Sequence, residues 1–343
     1  MRGALVHIMP PSAAPERRRR TGLRILLFGA GAGIVLVTGA LLLGVDAMSA
    51  VSVPRIESWR VLAPSSGKPE IADAIPAGQE TELPLYACRV AVGQDMHVGR
   101  IRSDFGGCHI GFGGKEAELG PAETLAATWR AGADSLQEGF QGALVAGAER
   151  ATLAGGSFAM DRLYLCRARH QGGIHPGQIR SGERECSFGF GGRRVTSVMF
   201  DVLQGASWMH WAPTTARLLP DTAIVAGSEG GETFFACRAA DRGGLHPGKV
   251  KRNGAGCSIV SDNREVIVDR FEILATRWLT GHAGTVPIAA VPVGWEGASL
   301  QYVCRARTRD SVQVGKVSDS LGGCHVGMLG REVVMADYEV LSQ

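Results

Sequence analysis

The chain has 343 residues, of which 20% are charged, and 36 basic against 33 acidic residues give a formal net charge of +3. Residues 1–24 hold six arginines and one glutamate, so the remainder carries 30 basic and 32 acidic residues. A nearly neutral body lacks the basic surface with which proteins bind nucleic acid, and we expect no nucleic-acid partner.

An uncharged stretch of 21 residues occupies positions 25–45. As a helix rising about 1.5 Å per residue it would be roughly 30 Å long, which is the thickness of a bilayer's hydrocarbon core. Arginines precede it, which favours a cytoplasmic N-terminus. The sequence therefore predicts a basic cytoplasmic tail at 1–24 and a transmembrane anchor at 25–45.

A cleaved signal peptide is the alternative, because Ala47-Met48-Ser49 before Ala50 is an acceptable cleavage site. The apolar core of a signal peptide is usually about 7–15 residues, shorter than this stretch. Under both interpretations the chain from about residue 50 onward is periplasmic or extracellular. Such compartments are oxidising and favour paired cysteines.

The eight cysteines form four pairs, and the members of each pair are 20 positions apart. The pairs are Cys88 and Cys108, Cys166 and Cys186, Cys237 and Cys257, and Cys304 and Cys324. Equal spacing repeated four times indicates one unit that has been copied four times.

Each copy begins near a tryptophan and continues through a glycine turn into a strand that ends in Cys-Arg. The tryptophans are taken as Trp59, Trp129, Trp208 and Trp278, and the turns as residues 77–80, 155–158, 226–229 and 293–296. Short alternating runs rich in β-branched and aromatic residues predict an all-β fold of antiparallel sheets. We expect two sandwich-like or barrel-like domains of two consecutive copies each, at 52–205 and 206–343.

The cysteines allow two interpretations. A zinc site could use His109 and His325 beside the second cysteines, but adjacent strand residues point to opposite faces and each copy offers two thiolates, short of the usual four ligands. A disulfide within each copy fits the repetition better and would contribute about 3 kcal/mol. Bonds between copies remain possible, and we expect no metal ion.

Residues 243–249 read GGLHPGK and superficially match a phosphate-binding loop. Val250 stands where such a loop needs Ser or Thr, and the segment lies between strands rather than before a helix. We therefore expect no nucleotide or other cofactor, and interpret Pro176-Gly177 and Pro247-Gly248 as β-turns.

Two further positions recur in the copies. His97, His175 and His246 share one position with Gln313, which suggests turn packing, with ligand contact as the alternative. Arg89, Arg167, Arg238 and Arg305 follow the first cysteine, and we expect each to pair with an acid on a neighbouring strand rather than with a ligand. The tryptophans are expected in the core.

No HExxH motif occurs, and Gly155-Gly156-Ser157-Phe158-Ala159 is a poor nucleophile elbow, so we predict no enzyme.

The repeated unit resembles the DM-nine repeat of invertebrate lectins and natterin-like proteins. The similarity is carried by residues 226–250, by the glycine-rich turns at 112–116 and 190–194, and by the closing strings FEIL and YEVL. The resemblance implies β-sandwich-like domains built from two tandem repeats, and mannose-type sugar binding by an acidic turn residue and the lysine of a Pro-Gly-Lys segment.

Carried onto this sequence, the resemblance places the acid 21 residues before the lysine position, where no copy has an acidic residue: the positions hold Gln79, Ser157, Ser228 and Trp295. Three copies have a glutamate one residue later, and we expect the sugar-binding pairs to be Glu229 with Lys249 and Glu296 with Lys316. A weaker third pair is Glu80 with Arg100, and the second copy, with Gln178 at the lysine position, is expected to have lost its site. We thus expect a membrane-tethered, extracytoplasmic lectin whose partner is a carbohydrate or glycoconjugate. A structural or protein-interaction module of the cell envelope is the alternative.

Overall fold

The computed structural model describes residues 59–62, 71, 73–81, 83–152 and 156–343. The predicted tail at 1–24 and anchor at 25–45 lie outside these residues. Among the described residues there is no helix with the length and apolar character needed to cross a membrane.

The described chain contains 27 strands and one short helix, and every strand pairing is antiparallel, which confirms the all-β prediction. The four copies are called repeats 1 to 4. Repeat 1 comprises β1 Trp59–Val61, β2 Pro76–Glu80, β3 Leu83–Val92, β4 Asp95–Ile101, β5 Cys108–Phe112, β6 Lys115–Leu119 and β7 Ala122–Leu125. Repeat 2 comprises β8 Trp129–Ala131, α1 Gly132–Gln137, β9 Val145–Thr152, β10 Phe158–His170, β11 Gly173–Arg180, β12 Cys186–Phe190, β13 Arg193–Ser197 and β14 Phe200–Leu203.

Repeat 3 comprises β15 Met209–Thr214, β16 Val225–Glu229, β17 Glu232–Asp241, β18 Gly244–Val250, β19 Cys257–Ser261, β20 Arg264–Val268 and the first half of β21 Phe271–His282. Repeat 4 uses the second half of β21, then β22 Pro292–Glu296, β23 Ser299–Arg307, β24 Val312–Val317, β25 Cys324–Met328, β26 Arg331–Met335 and β27 Asp337–Ser342. The continuous strand β21 joins the two repeats because its halves pair with β15 and with β27.

The strand that ends in Cys-Arg is buried on both faces, because side chains alternate between two hydrophobic clusters. In β17, Ala236 packs in a core shared by all four repeats, whereas Phe235 and Cys237 pack in a core that belongs to repeat 3. The same division occurs in the other repeats. Burial on both faces explains why these strands are nearly continuous apolar runs in the sequence.

All four disulfides form within repeats, with Cα–Cα distances of 5.9–6.0 Å, which confirms the predicted pairing. Each bond lies inside the core of its own repeat. It links the Cys-Arg strand to the strand that begins with the second cysteine.

The predicted Pro-Gly turns were wrong, because Pro176-Gly177 lies inside β11 and Pro247-Gly248 inside β18. The glycine is needed for another reason. A Cβ at this position would lie closer than 3.0 Å to the carbonyl oxygen of the residue after the second cysteine in every repeat. The affected positions are Gly99, Gly177, Gly248 and Gly315.

The arginine after the first cysteine pairs with an acid 34 positions later on the closing strand, as predicted, and each guanidinium also stacks on a tryptophan. The pairs are Arg89–Glu123, Arg167–Asp201, Arg238–Glu272 and Arg305–Glu339. The stacked rings are Trp59, Trp129, Trp211 and Trp278, at 4.3–4.5 Å. Trp208, named in the sequence analysis for repeat 3, is fully buried in the shared core, as expected for the tryptophans, and the neighbouring Trp211 stacks on the arginine instead.

Strand pairings join repeat 1 to repeat 4 and repeat 2 to repeat 3, rather than repeat 1 to repeat 2 and repeat 3 to repeat 4. Strand β2 pairs with β24, and β22 with β4, which joins repeats 1 and 4. Strand β16 pairs with β11, and β9 with β18, which joins repeats 2 and 3. A boundary near residue 205 therefore separates repeats that are paired, and all described residues belong to one compact unit.

Candidate ligand-binding clefts

A glycine two positions before a glutamate brings paired repeats into close approach. At Gly78, Gly147, Gly227 and Gly294 a Cβ would lie closer than 3.0 Å to a carbonyl oxygen of the paired repeat. A β-bulge accompanies each glycine, where the ladder shifts register. The glutamate that follows is therefore held against the other repeat of the pair. These glutamates are Glu80, Glu149, Glu229 and Glu296.

Glu149 is the acid of repeat 2, and the sequence analysis missed it. Counting back 21 positions from Gln178 led to Ser157, because repeat 2 carries a longer hairpin in which Phe158 pairs with Thr152. The strand register instead places Gly147 opposite Leu163, as Gly78 is opposite Leu85 in repeat 1. The string AGAE at 146–149 matches AGQE and AGSE and was the available signal.

The residue after Gly99, Gly177, Gly248 or Gly315 is buried in every repeat, and it either donates to this glutamate or lines one cavity with it. The residues are Arg100, Gln178, Lys249 and Lys316, with 3–8% exposed. The paired repeat contributes His97, His175, His246 or Gln313 to the same place. We call each such group a cleft and number it by the repeat that supplies the glutamate.

Cleft 3 joins Glu229 and Lys249 with His175 of repeat 2. Nζ of Lys249 donates to Nδ1 of His175 at 2.7 Å and lies 4.8 Å from the centre of the Phe234 ring. Nε2 of His175 lies 4.0 Å from the Glu229 carboxylate, whose side chain is 38% exposed. The glutamate and the lysine line one open cavity of about 290 Å³ together with Phe190 of repeat 2.

Cleft 4 joins Glu296 and Lys316 with His97 of repeat 1. Lys316 Nζ donates to Oε2 of Glu296 at 3.3 Å and lies 3.2 Å from Nδ1 of His97. Gln301 Nε2 donates to the same Glu296 oxygen at 2.9 Å. The Glu296 side chain is 44% exposed. Its carboxylate is therefore held by buried donors on one side and is open to solvent on the other.

In cleft 1 the charged groups form hydrogen bonds with other residues of the protein. Arg100 donates to Glu80 at 3.0 Å, to Glu116 at 2.9 Å and to the carbonyl oxygen of Gly327 at 2.8 Å. Gln313 of repeat 4 donates to the second oxygen of Glu80 at 3.1 Å. The carboxylate that a ligand would use therefore already accepts hydrogen bonds at both oxygens.

Cleft 2 joins Glu149 with Gln178 and with His246 of repeat 3. Glu149 forms an ion pair with Arg180, and its other oxygen lies 3.7 Å from Nδ1 of His246. Gln178 and Glu149 line an open cavity of about 210 Å³.

A family model described as the DM9 repeat matches residues 157–268 and 228–335, which together span just over half of the chain. The chain belongs to the DM9 repeat family. The crystal structure of the nematode sperm cell motility protein MFP2B is similar at 16% identity and a TM-score of 0.27, and the match covers 63% of this chain and 74% of that chain. No curated protein matches the chain.

Burial between the paired repeats of this DM9 protein favours the neutral form of the cleft histidines by lowering their pKa values. Burial lowers the pKa of His175 below 6.5, and the charge of Lys249 lowers it further. Burial and then the charge of Lys316 act in the same direction on the pKa of His97. Burial also lowers the pKa of Lys249, against the opposing charges of Glu265 and Glu229. A neutral imidazole can accept a hydrogen bond from the lysine.

The six residues expected to bind sugar fall into three separate clefts of the DM9 protein. Glu229 with Lys249, Glu296 with Lys316, and Glu80 with Arg100 each lie in one cleft, in line with the pairs chosen from sequence. His97, His175 and His246 lie in clefts rather than packing in turns. Their contact with the lysine of another repeat could not be read from one repeat alone.

Proposed function

We propose that this DM9 protein is a non-enzymatic, lectin-like carbohydrate-binding protein that acts outside the cytoplasm, with sugar sites in clefts 3 and 4. The observation that carries the proposal is the pairing, in one open cavity, of the half-exposed Glu229 carboxylate with the buried ammonium of Lys249. Membership of the DM9 family supports the ligand class.

The chemistry of cleft 3 suits vicinal hydroxyl groups. A carboxylate accepts two hydrogen bonds and an ammonium donates, so neighbouring hydroxyls can donate to Glu229 while one accepts from Lys249. Charge-assisted bonds of this kind are worth about 1.5–3 kcal/mol each. The Phe190 and Phe234 side chains line the same cavity and offer an apolar surface for the C–H face of a sugar ring.

Cleft 4 offers the same groups in a tighter arrangement. Lys316 already donates to Glu296. A sugar hydroxyl would therefore contact a lysine and a glutamate that are bonded to each other, whereas in cleft 3 it would lie between two separate groups. The free outer face of Glu296 is what a ligand can reach. Two weak sites on one chain would gain affinity for a surface that displays many copies of the sugar.

A binding experiment on the full-length protein tests this proposal. Isothermal titration with methyl α-mannoside is expected to show binding that Lys249→Met combined with Lys316→Met weakens at least tenfold. Methionine keeps the buried stem and removes the ammonium. Lys115→Met, at an exposed lysine of β6, is the matched control and is expected to leave binding unchanged.

A glycan array extends the test to sugars other than mannose. If a folded protein binds no glycan at high concentration, or if the double lysine variant binds as the unmodified protein does, the sugar-binding proposal is wrong. Thermal unfolding of each variant separates loss of the site from loss of the fold.

Membrane tethering through residues 25–45 is part of the proposal and has its own test. The full chain is expected to stay with membranes at alkaline pH, and deletion of 25–45 is expected to release it. Sequencing of the mature N-terminus separates an anchor from a cleaved signal, since cleavage would expose Ala50.

A protein-contact role is the second candidate, and one surface of repeat 2 favours it. Val198 and Met199 are 69% and 81% exposed and border an open cavity of about 790 Å³ together with Phe200. Exposed apolar side chains grouped in this way are typical of protein interfaces. An empty glycan array together with loss of a partner in Met199→Glu would favour this function over sugar binding.

A further inference from the structure

Clefts 2 and 3 occupy equivalent positions in the pair of repeats 2 and 3, but their charges differ. The strand registers place Gln178 opposite Ser187, as Lys249 is opposite Ser258. They also place Arg194 opposite Gly189, where repeat 3 has Glu265 opposite Val260. In cleft 2 the neutral amide of Gln178 therefore stands where cleft 3 has Lys249. The guanidinium of Arg194 stands where repeat 3 has the carboxylate of Glu265.

The replacement of lysine leaves polar atoms of cleft 2 without partners. Gln178 is 8% exposed, and its Oε1 atom has no hydrogen-bond partner. Nδ1 of His246 is likewise buried and has no hydrogen-bond partner, since the Glu149 carboxylate is 3.7 Å away, whereas the equivalent atom of His175 accepts from Lys249. An unsatisfied buried polar group costs about 1–3 kcal/mol, so a ligand that donates to Gln178 would recover part of that free energy.

The guanidinium of Arg194 lines the same cavity and has neutral partners. Its Nε atom donates to Ser187 at 2.9 Å and its Nη1 atom to Asn263 at 2.8 Å. Among the described residues no carboxylate lies within 4.0 Å of it. A guanidinium has five N–H groups, so donors remain for a ligand, and a carboxylate matches its planar fork.

The other acids of the cavity are already engaged. Asp262 forms an ion pair with Arg242 at 3.1 Å. Glu183 accepts from the backbone N–H of Arg180, and the Arg180 side chain is paired with Glu149. Arg194 is thus the cation of the cavity for which the described residues supply no counter-charge.

We propose that cleft 2 binds a carboxylate-bearing sugar of the uronic acid class, with Arg194 holding the carboxylate and Gln178 accepting from a ring hydroxyl. The inference extends the proposed function to a second class of sugar, at the repeat where the sequence predicted that the site is lost. Clefts 3 and 4, which present lysine with glutamate, would take neutral sugars, while cleft 2 would take acidic ones.

Two probes that differ in one group test the inference on the full-length protein. Methyl β-glucuronide and methyl β-glucoside are identical except for a carboxylate in place of the C6 hydroxymethyl group. We expect the glucuronide to bind at least tenfold more tightly, and Arg194→Gln to remove that preference. Arg193→Gln, at the exposed neighbouring arginine, is the matched control and is expected to retain it.

Equal binding of the two probes, or a glucuronide preference that survives Arg194→Gln in a protein of unchanged thermal stability, would overturn the assignment. So would a glucuronide signal that is lost in Lys249→Met, because the ligand would then occupy cleft 3. Mannoside binding separates the two proposals. If the protein binds the glucuronide but not the mannoside, only the neutral-sugar proposal for clefts 3 and 4 is wrong. If it binds the mannoside but not the glucuronide, only the acidic-sugar proposal for cleft 2 is wrong.

Discussion

Nζ of Lys249 in repeat 3 lies 2.7 Å from Nδ1 of His175 in repeat 2. The lysine of a proposed sugar site is therefore oriented by a residue of a different repeat, and the site exists because the two repeats are paired. The same relationship holds between Lys316 of repeat 4 and His97 of repeat 1, at 3.2 Å. Ligand binding and repeat pairing are thus linked.

The stability of the protein is expected to fall as the pH drops below about 6.5. The pKa values of His97, His175 and His246 are lowered in the folded state, mainly by burial. Below pH 6.5 the unfolded chain therefore binds protons that the folded chain does not, which favours unfolding by up to about 1.4 kcal/mol per pH unit for each histidine. Urea unfolding measured from pH 7.5 to pH 5 checks this.

A variant isolates the contribution of one histidine. His175→Gln keeps a side-chain acceptor for Lys249, with the residue that repeat 4 carries at the equivalent position 313, and is expected to reduce the slope of stability with pH. An identical pH dependence in His175→Gln would show that this residue is protonated equally in both states.

Gly315→Ala is expected to destabilise the protein by about 3 kcal/mol or to prevent folding, because the added Cβ would collide with the carbonyl oxygen of His325. Gly322→Ala in the same repeat is the control, since its Cβ would meet no atom within 4 Å. That change should alter stability by less than about 0.5 kcal/mol. Equal unfolding midpoints for the two variants in denaturant titrations would contradict the close-approach explanation.

Removal of one disulfide is expected to cost about 2–4 kcal/mol of unfolding free energy without changing the fold, because each bond closes a loop within one repeat. Cys237→Ser with Cys257→Ser tests this in repeat 3 by denaturant unfolding. Peptide mapping without reduction should recover four bonds, each within a repeat. A peptide that links two repeats would refute the pairing.

Fragments can distinguish the observed pairing of repeats from a consecutive one. Residues 128–282 contain repeats 2 and 3 with the strand pairings that join them, and we expect this fragment to retain protection from proteases. Residues 52–205 contain repeats 1 and 2, each without its paired repeat, and should be digested. The two fragments have nearly equal length, so size does not explain a difference. Protection of 52–205 alone would argue against the pairing of 1 with 4 and 2 with 3.

Much of the local structure followed from the sequence because it depends on neighbouring residues in one repeat. The spacing of Cys88 and Cys108 predicted their bond, and the arginine after the first cysteine predicted an ion pair such as Arg238–Glu272. Alternation of apolar residues predicted strands. These features use short-range geometry that a repeated string records.

The clefts could not be predicted in full, because they form between repeats that are distant in the chain. Glu149 was missed because a longer hairpin changes its distance from Cys166, and only the strand register shows that it matches Glu229. Trp208 and Trp211 lie in one short segment, and only packing reveals which of them stacks with Arg238.

The sequence by itself determined four disulfide-bonded β repeats, their buried strands and three of the four acid positions. Tertiary structure decided which repeats pair, and thereby which histidine or glutamine meets which lysine, arginine or amide. The physical reason is that glycines such as Gly227 and Gly294 permit close approach of another repeat but do not specify which one. The packing of Trp208 and its neighbours in the shared core involves all four repeats at once.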